Sequence, residues 1–401
     1  MPGPLDGIRV LDLSSVVLGP LATQIMGDLG ADVIKIEAPA GDTTRYTGPR
    51  RSPDMAALFM GLNRNKRSII LDLKQEAAQD ALWRLVDSAD VFIHSIRPQK
   101  IAKLGFSDAA VLARNERIVY AGIHGYRSDG PYAGAPAYDD VIQGQSGSVD
   151  LMARLVGEPR YMPTIMADKT CALVTAYSVM AALVERERSG KGQFVEIPMF
   201  ETMVAYNLTE HIYGHAFDPP VDEMGYSRVL TPSRRPYKTL DGYLCMLVYT
   251  DVQWQRFWTE VGRPELNNDP RFDTLGHRSD NIEALYKIAS DCVATRSTAQ
   301  WTGVLEKLEI PFGPITTLEE LEDDPHLNAI DFFKKAEHPS EGGVVMPDIP
   351  VKYSRTPAGI DQLQPGFGKH SAEILLEAGL TRLEIDKMME SGAAIEGQTE
   401  K

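Results

Sequence analysis

Among the side chains able to do chemistry, Asp168 stands out by its position. The segment Pro163-Thr-Ile-Met-Ala-Asp168-Lys169-Thr170 runs straight into an apolar stretch from Cys171 to Arg188. Leu173, Val174, Tyr177, Met180, Ala181 and Val184 recur there at helical spacing, and Gly190 and Gly192 end the pattern. An aspartate at the head of such a helix has two readings. As an N-cap it accepts a backbone amide and stabilises the helix by about 0.5–2 kcal/mol relative to Ala. As a reagent it is kept ionised by the helix dipole and free amides. It is then a nucleophile toward a thioester, with the neighbouring amides as donors to the oxyanion that forms. Position alone leaves both readings open.

Other chemistries find less support. The chain of 401 residues carries a formal charge of -15, which opposes non-specific nucleic-acid binding and docking on anionic membranes. Cys171, Cys245 and Cys292 are far apart and form no CxxC pair, so a reduced, cytoplasmic protein without disulfides is expected. Cys171 reads as a buried structural thiol. His211 and His215 lie four apart but as EHIYGH, not HExxH, and no metal site is expected. No basic n-region precedes an apolar run at the start, so neither a signal peptide nor a transmembrane span is expected. Glu37 ends a strand where a dinucleotide-binding fold places its ribose-binding acid. After Leu13, however, the chain reads Ser-Ser-Val-Val-Leu-Gly-Pro, which lacks the glycines that bring amides onto a diphosphate.

The elements that must position Asp168 follow from periodicity. Ile8–Leu13, Asp32–Glu37, Ser68–Leu73, Val91–Ser95 and Ile118–Ile123 are short apolar runs alternating with helical segments, among them Pro20–Leu29 and Ala77–Ser88. That alternation predicts an α/β fold, a parallel sheet with helices on both faces. Phe194–Ile197 adds a strand and Glu201–His211 a helix. The texture changes after Gly214, where Pro219-Pro220, Pro232 and Pro236 break regular structure. A smaller α+β domain is expected next, with a hairpin turning at Asp241-Gly242 and helices at 254–261, 281–294 and 298–308. The expected division is 1–213 large domain, 214–235 linker, 236–330 small domain, 331–355 extended return linker and 356–401 back in the large domain. Two helices, 370–378 and 383–391, close the chain.

Several blocks in order resemble class III CoA transferases of the CaiB/BaiF type. They are Leu5-Asp-Gly-Ile-Arg-Val-Leu-Asp-Leu, Gly19-Pro20, Gly27-Asp-Leu-Gly-Ala-Asp-Val-Ile-Lys-Ile-Glu37 and Gly41-Asp42. Asn63-Arg-Asn-Lys-Arg-Ser68, Arg97-Pro98, Leu104-Gly105, Gly125-Tyr126, Gly130-Pro131 and Ala137-Tyr138-Asp139 follow, with Gln143 and Ser146-Gly147. Ala167-Asp168-Lys169 matches the family's nucleophile motif and Gly190-Lys-Gly-Gln193 its next turn; Gly366–Leu375, with His370, also fits.

The resemblance implies a Rossmann-like large domain built from both chain ends, a small domain inserted between, and two subunits interlocked as a homodimer. It implies transfer of CoA from an acyl-CoA, such as succinyl-CoA, to a carboxylic acid through an aspartyl-CoA thioester on Asp168, with Asp139 nearby. No cofactor beyond CoA as substrate is implied. CoA is expected along Val16, Val17, Leu71, Leu73, Lys74, Ser95, Ile96, Arg97, Lys103 and Tyr138. Asn63, Lys66 and Arg67 have a structural reading instead. Val17 stands where oxalate-using members carry glutamine, Ser95 where asparagine is common and Gln99 where glycine is common. Arg228, Arg234 and Arg235 flank the entry to the small domain, where guanidinium forks suit a distal carboxylate. Two alternatives are a non-catalytic acyl-CoA-binding protein and an α-methylacyl-CoA racemase. The latter needs a His-Asp pair where this chain has Tyr138-Asp139, and tyrosine is a poor base near neutrality.

Overall fold

The computed structural model describes residues 2–397; 398–401, at the end of the expected C-terminal segment, lie outside the described residues. Six strands run parallel: β1 (Arg9–Leu13), β2 (Asp32–Glu37), β3 (Lys66–Leu71), β4 (Val91–His94), β5 (Val119–His124) and β6 (Phe194–Pro198). A short strand, Ala394–Ile395, closes the sheet antiparallel to β3. The order is Ala394–Ile395, β3, β2, β1, β4, β5, β6. All of β3 and β4 is buried, as a parallel sheet covered on both faces requires. On one face Leu11, Ile34, Ile69, Phe92 and Tyr120 pack under α2 (Glu76–Val86). On the other, Val10, Val33, Ile93 and Ala121 meet α1 (Leu18–Asp28) and a long helix, Met166–Ser189.

Charge is buried along β1, β2 and β3 and in the loops that follow β1 and β2. Lys66 Nζ lies 3.1 Å from Asp12 Oδ2, Lys35 Nζ 2.9 Å from Asp42 Oδ2, and the Arg45 guanidinium 2.6 Å from Glu37 Oε2. Lys66 also donates to Asn63 Oδ1, and Arg67 pairs with Asp32, Glu373 and Glu377, so this block braces the sheet. Burial alone would raise the Asp12 carboxyl; Lys66 and Lys35 overcome it and hold the group at about 2.

The chain divides into two compact units. One holds Met1–Ser146, Met162–Tyr206 and His326–Lys401, the other Gly147–Tyr161 and Asn207–Pro325. The sequence pattern places 147–161 in the large domain. The helix Ser148–Val156 instead joins the second unit: Arg154 donates to Met224 O and the Asn207 amide to Ser148 Oγ. The second unit pairs Tyr237–Lys238 with Tyr243–Met246 across the Asp241-Gly242 turn. Three helices, Asp251–Glu260, Ile282–Val293 and Thr298–Leu308, pack around Trp254, Phe257, Trp258 and Trp301. The return segment is not simply extended: Phe333–His338 and Gly342–Pro347 form an antiparallel hairpin, with Gly342 supplying a positive φ of 67° at its turn.

Candidate functional site

The strand order reverses direction between β1 and β4. In open α/β sheets, ligands bind outside the carboxyl ends of the strands at such a switch point. Two loops meet there: Ser14 to Val17 after β1, and Ser95 to Arg97 between β4 and α3 (Pro98–Lys103). A cavity of about 320 Å³ opens between them, lined by Ser15, Val16, Val17, Ser95, Arg97, Lys100, His124, Tyr138 and Asp168. A second cavity of about 300 Å³, lined by Ser15, Leu71, Leu73, Lys74, Ile96 and Leu104, shares the Ser15 wall. Gly134, at φ 70°, closes the first cavity where any Cβ would strike the Gln99 side chain at 2.0 Å.

Asp168 does not cap its helix. We number Asp108–Arg114 as α4, Asp139–Gln145 as α5 and Met166–Ser189 as α6; the cap position of α6 is Ile165, and Asp168 lies inside the first turn. Its amide donates to Asp139 Oδ1 at 3.0 Å. Asp139 is held in turn: Gln143 Nε2 donates to Asp139 Oδ2 at 2.5 Å, while Gln143 Oε1 accepts the Met162 amide. Asp139 and Gln143 thus share α5 and clamp the irregular entry to α6. Asp168 is 9% exposed, and that exposure faces the cavity.

The helix-dipole expectation fails on magnitude. Burial, aided by the charge of Asp139, pushes the Asp168 carboxyl up to about 7. Most of the expected oxyanion donors are already engaged. The amides of Met166, Asp168 and Lys169 already donate to Thr164 O, Asp139 Oδ1 and Ile165 O. What remains at Asp168 is a carboxylate in a poorly solvated wall, and no cation pairs it among the described residues. Such a group is a strong nucleophile once ionised.

The cations at the first cavity are Arg97 and Lys100. His124 stays neutral, because burial outweighs the pull of Glu196 3.5 Å away, and His94 behind it is pushed down to about 3 by burial and by His124. The structure therefore gathers Val16, Val17, Ser95, Arg97, Tyr138 and Asp168 around one cavity, with Asp139 behind, and Leu71, Leu73, Lys74 and Ile96 around the other. Lys103 lines neither. Lys100, three residues earlier on the same short helix and one turn nearer its start, does, and no signal in the sequence separates the two. Arg228 is engaged inside the second unit, donating to the Tyr286 hydroxyl and lying 4.7 Å over the Tyr249 ring. Among the described residues no cluster of three or more metal-ligating side chains occurs.

The family model for CoA-transferase family III matches residues 5–371. A succinate–glutarate CoA-transferase of Agrobacterium fabrum is 31% identical over 392 residues, covering 93% of this chain and 95% of its own length. A formyl-CoA:oxalate CoA-transferase of Streptomyces avermitilis is 34% identical over 414 residues, covering 98% and 100%. The crystal structure of a CaiB/BaiF family protein from Brucella suis superposes with a TM-score of 0.77 at 31% identity, covering 94% of this chain and all of that one. A fold with its crevice at the β1/β4 switch point, an aspartate in that crevice and a match across nearly the whole length make this chain a member of CoA-transferase family III.

Proposed function

We propose that Asp168 carries CoA from an acyl-CoA donor to a small dicarboxylic acid through an aspartyl-CoA thioester. One observation carries the reading: the Asp168 carboxyl lines the switch-point cavity, unpaired by any cation among the described residues and fixed through its amide by Asp139. An Asp168 oxygen attacks the thioester carbonyl; the C–S bond breaks, CoA leaves as thiolate and a mixed anhydride forms. The thiolate attacks Cγ of Asp168, the anhydride C–O bond breaks and the donor acid departs as carboxylate. The acceptor carboxylate attacks the same carbon and expels thiolate, which takes the acceptor acyl group and frees Asp168. Protons and electrons balance without ATP, because thioester and anhydride are both activated acyl groups.

Arg97 and Lys100 suit the diphosphate and Lys74 the adenosine end, across the two adjoining cavities. The dicarboxylate rests on the succinate–glutarate relative. Assembly as an interlocked homodimer is proposed from an apolar helix face: Leu173, Tyr177 and Val184 of α6 are each more than half exposed. By length and composition α6 is also the one helix among the described residues able to cross a membrane. Its opposite side (Ala167, Cys171, Val179, Leu183) is spent on the sheet. Three free cysteines support a reducing, cytoplasmic setting.

Intact-protein mass spectrometry after brief incubation with acyl-CoA donors tests the mechanism. Wild type is expected to gain a CoA-sized adduct that an acceptor acid clears, and Asp168→Ala none. An adduct of equal yield on Asp168→Ala, or none on wild type with any donor despite CoA binding, would overturn it.

A further inference from the structure

The loop after β1 spends its amides on the protein itself. Ser14 N–H donates to Asp12 Oδ1 at 2.9 Å, Ser15 N–H to Ser95 Oγ at 3.2 Å and Val16 N–H to Asp42 Oδ1 at 3.2 Å. In a dinucleotide-binding fold the amides at this turn are offered to phosphate. Here three consecutive ones face inward. Val16 is the exceptional member. Its φ is +70°, a left-handed conformation that a β-branched residue adopts only under constraint.

The constraint comes from a buried ion pair. Asp42 is 3% exposed and Lys35 is fully buried. Lys35 Nζ donates to Asp42 Oδ2 at 2.9 Å and to Ser14 O at 3.2 Å, so the lysine grips the pair and the loop together. Asp42 Oδ1 also accepts from the Thr44 amide at 2.9 Å, and the Asp42 amide donates to Glu37 Oε1 at 3.0 Å, which fix the carboxylate against rotation. Burial opposes both charges, and each partner favours the ionised form of the other, so Asp42 titrates below and Lys35 above its ordinary range.

We infer that Lys35 and Asp42 are positioning residues for the CoA-binding loop: they hold Val16 in its strained conformation, so that Ser15, Val16 and Val17 form the wall facing Asp168. The inference rests on the CoA reading above. It adds a role to two buried residues that lie outside the reacting centre, and it names the strain they hold.

The test is the affinity of full-length protein for free CoA, by calorimetry, alongside steady-state KM and kcat. Asp42→Ala is expected to weaken CoA binding roughly ten-fold, raising KM more than it lowers kcat. Lys35→Met/Asp42→Ala removes both buried charges at once and so guards against misfolding; the same loss is expected of it. Val16→Gly added to either background relieves the strained φ and should restore most of the affinity. Because Asp42 also lines the second cavity, this rescue separates positioning from direct contact with the ligand. Wild-type affinity in the Lys35/Asp42 double variant, or no gain from Val16→Gly, would overturn the inference. Wild-type protein that binds no CoA would overturn the CoA reading, and this role with it.

Discussion

Two aspartates buried in the same unit are driven in opposite directions. Asp12, beneath the β1 loop, is held at about 2; Asp168, at the rim of the same crevice, is pushed to about 7. Both suffer burial. The difference is company: Asp12 has Lys66, Lys35, Ser14 and Thr23 around it, whereas Asp168 has a second carboxylate and no cation. A carboxylate meant to hold a backbone in place is neutralised by its surroundings, and one meant to attack is left unneutralised.

That contrast can be broken first at its structural end. Lys66→Met should destabilise the protein by roughly 3–5 kcal/mol, because it strands the Asp12 charge in the interior. Asp12→Asn/Lys66→Met should regain most of this loss in a denaturant titration. A double variant no better than the single one would mean that the charge is not what the pair manages.

The reactive end should respond with the opposite sign. Asp168→Asn is expected to be more stable than wild type at pH 8, by on the order of 3 kcal/mol. The Asp168 carboxyl sits near 3.8 unfolded and about 7 folded, so the native state binds the extra proton. Its stabilising contribution is full below pH 4 and is lost as pH rises through 7. Melting temperatures of the two proteins should therefore converge on acidification from pH 7 to 4. A constant gap would show that Asp168 is not titrating there.

The smallest effect sharpens the cause. Asp139→Asn keeps the acceptor for the Asp168 amide and removes a negative charge. The acid limb of the transfer rate should move down by about one pH unit. No movement would assign the raised carboxyl to burial alone.

Much of this was legible beforehand because it is written in local pattern. The strands of the large unit could be located from their apolar runs, although β3 begins two residues earlier than expected, at the buried polar Lys66 and Arg67, and the hairpin of the small unit is announced by Asp241-Gly242. The motif around Asp168 could be found, but not its environment: the same aspartate is a cap or a nucleophile depending on whether the helix starts at 165 or 168 and on what covers it. Residues 147–161 escaped because their allegiance is set by Asn207 and Met224, far away in sequence. Lys100 and Lys103 lie on nearly the same face of one short helix, a turn apart, so sequence pattern does not separate them. Lys35 lies on an ordinary strand, and nothing nearby in sequence says that Asp42 folds back beneath Val16.

The strand Ala394–Ile395 has a consequence for how the protein is made. It covers the β3 edge, hydrogen-bonding at Leu71 and Ile70. On a ribosome adding about 5–20 residues per second, β3 emerges many seconds before its neighbour exists. Through that interval the nascent sheet presents an open, apolar edge of the kind that templates wrong pairings. A stop codon just before residue 394 would thus do more than trim a tail: although His370 and Ser371 would still engage Ser68 and Ile70, the Leu71 end of that edge would stay unsealed for the life of the molecule.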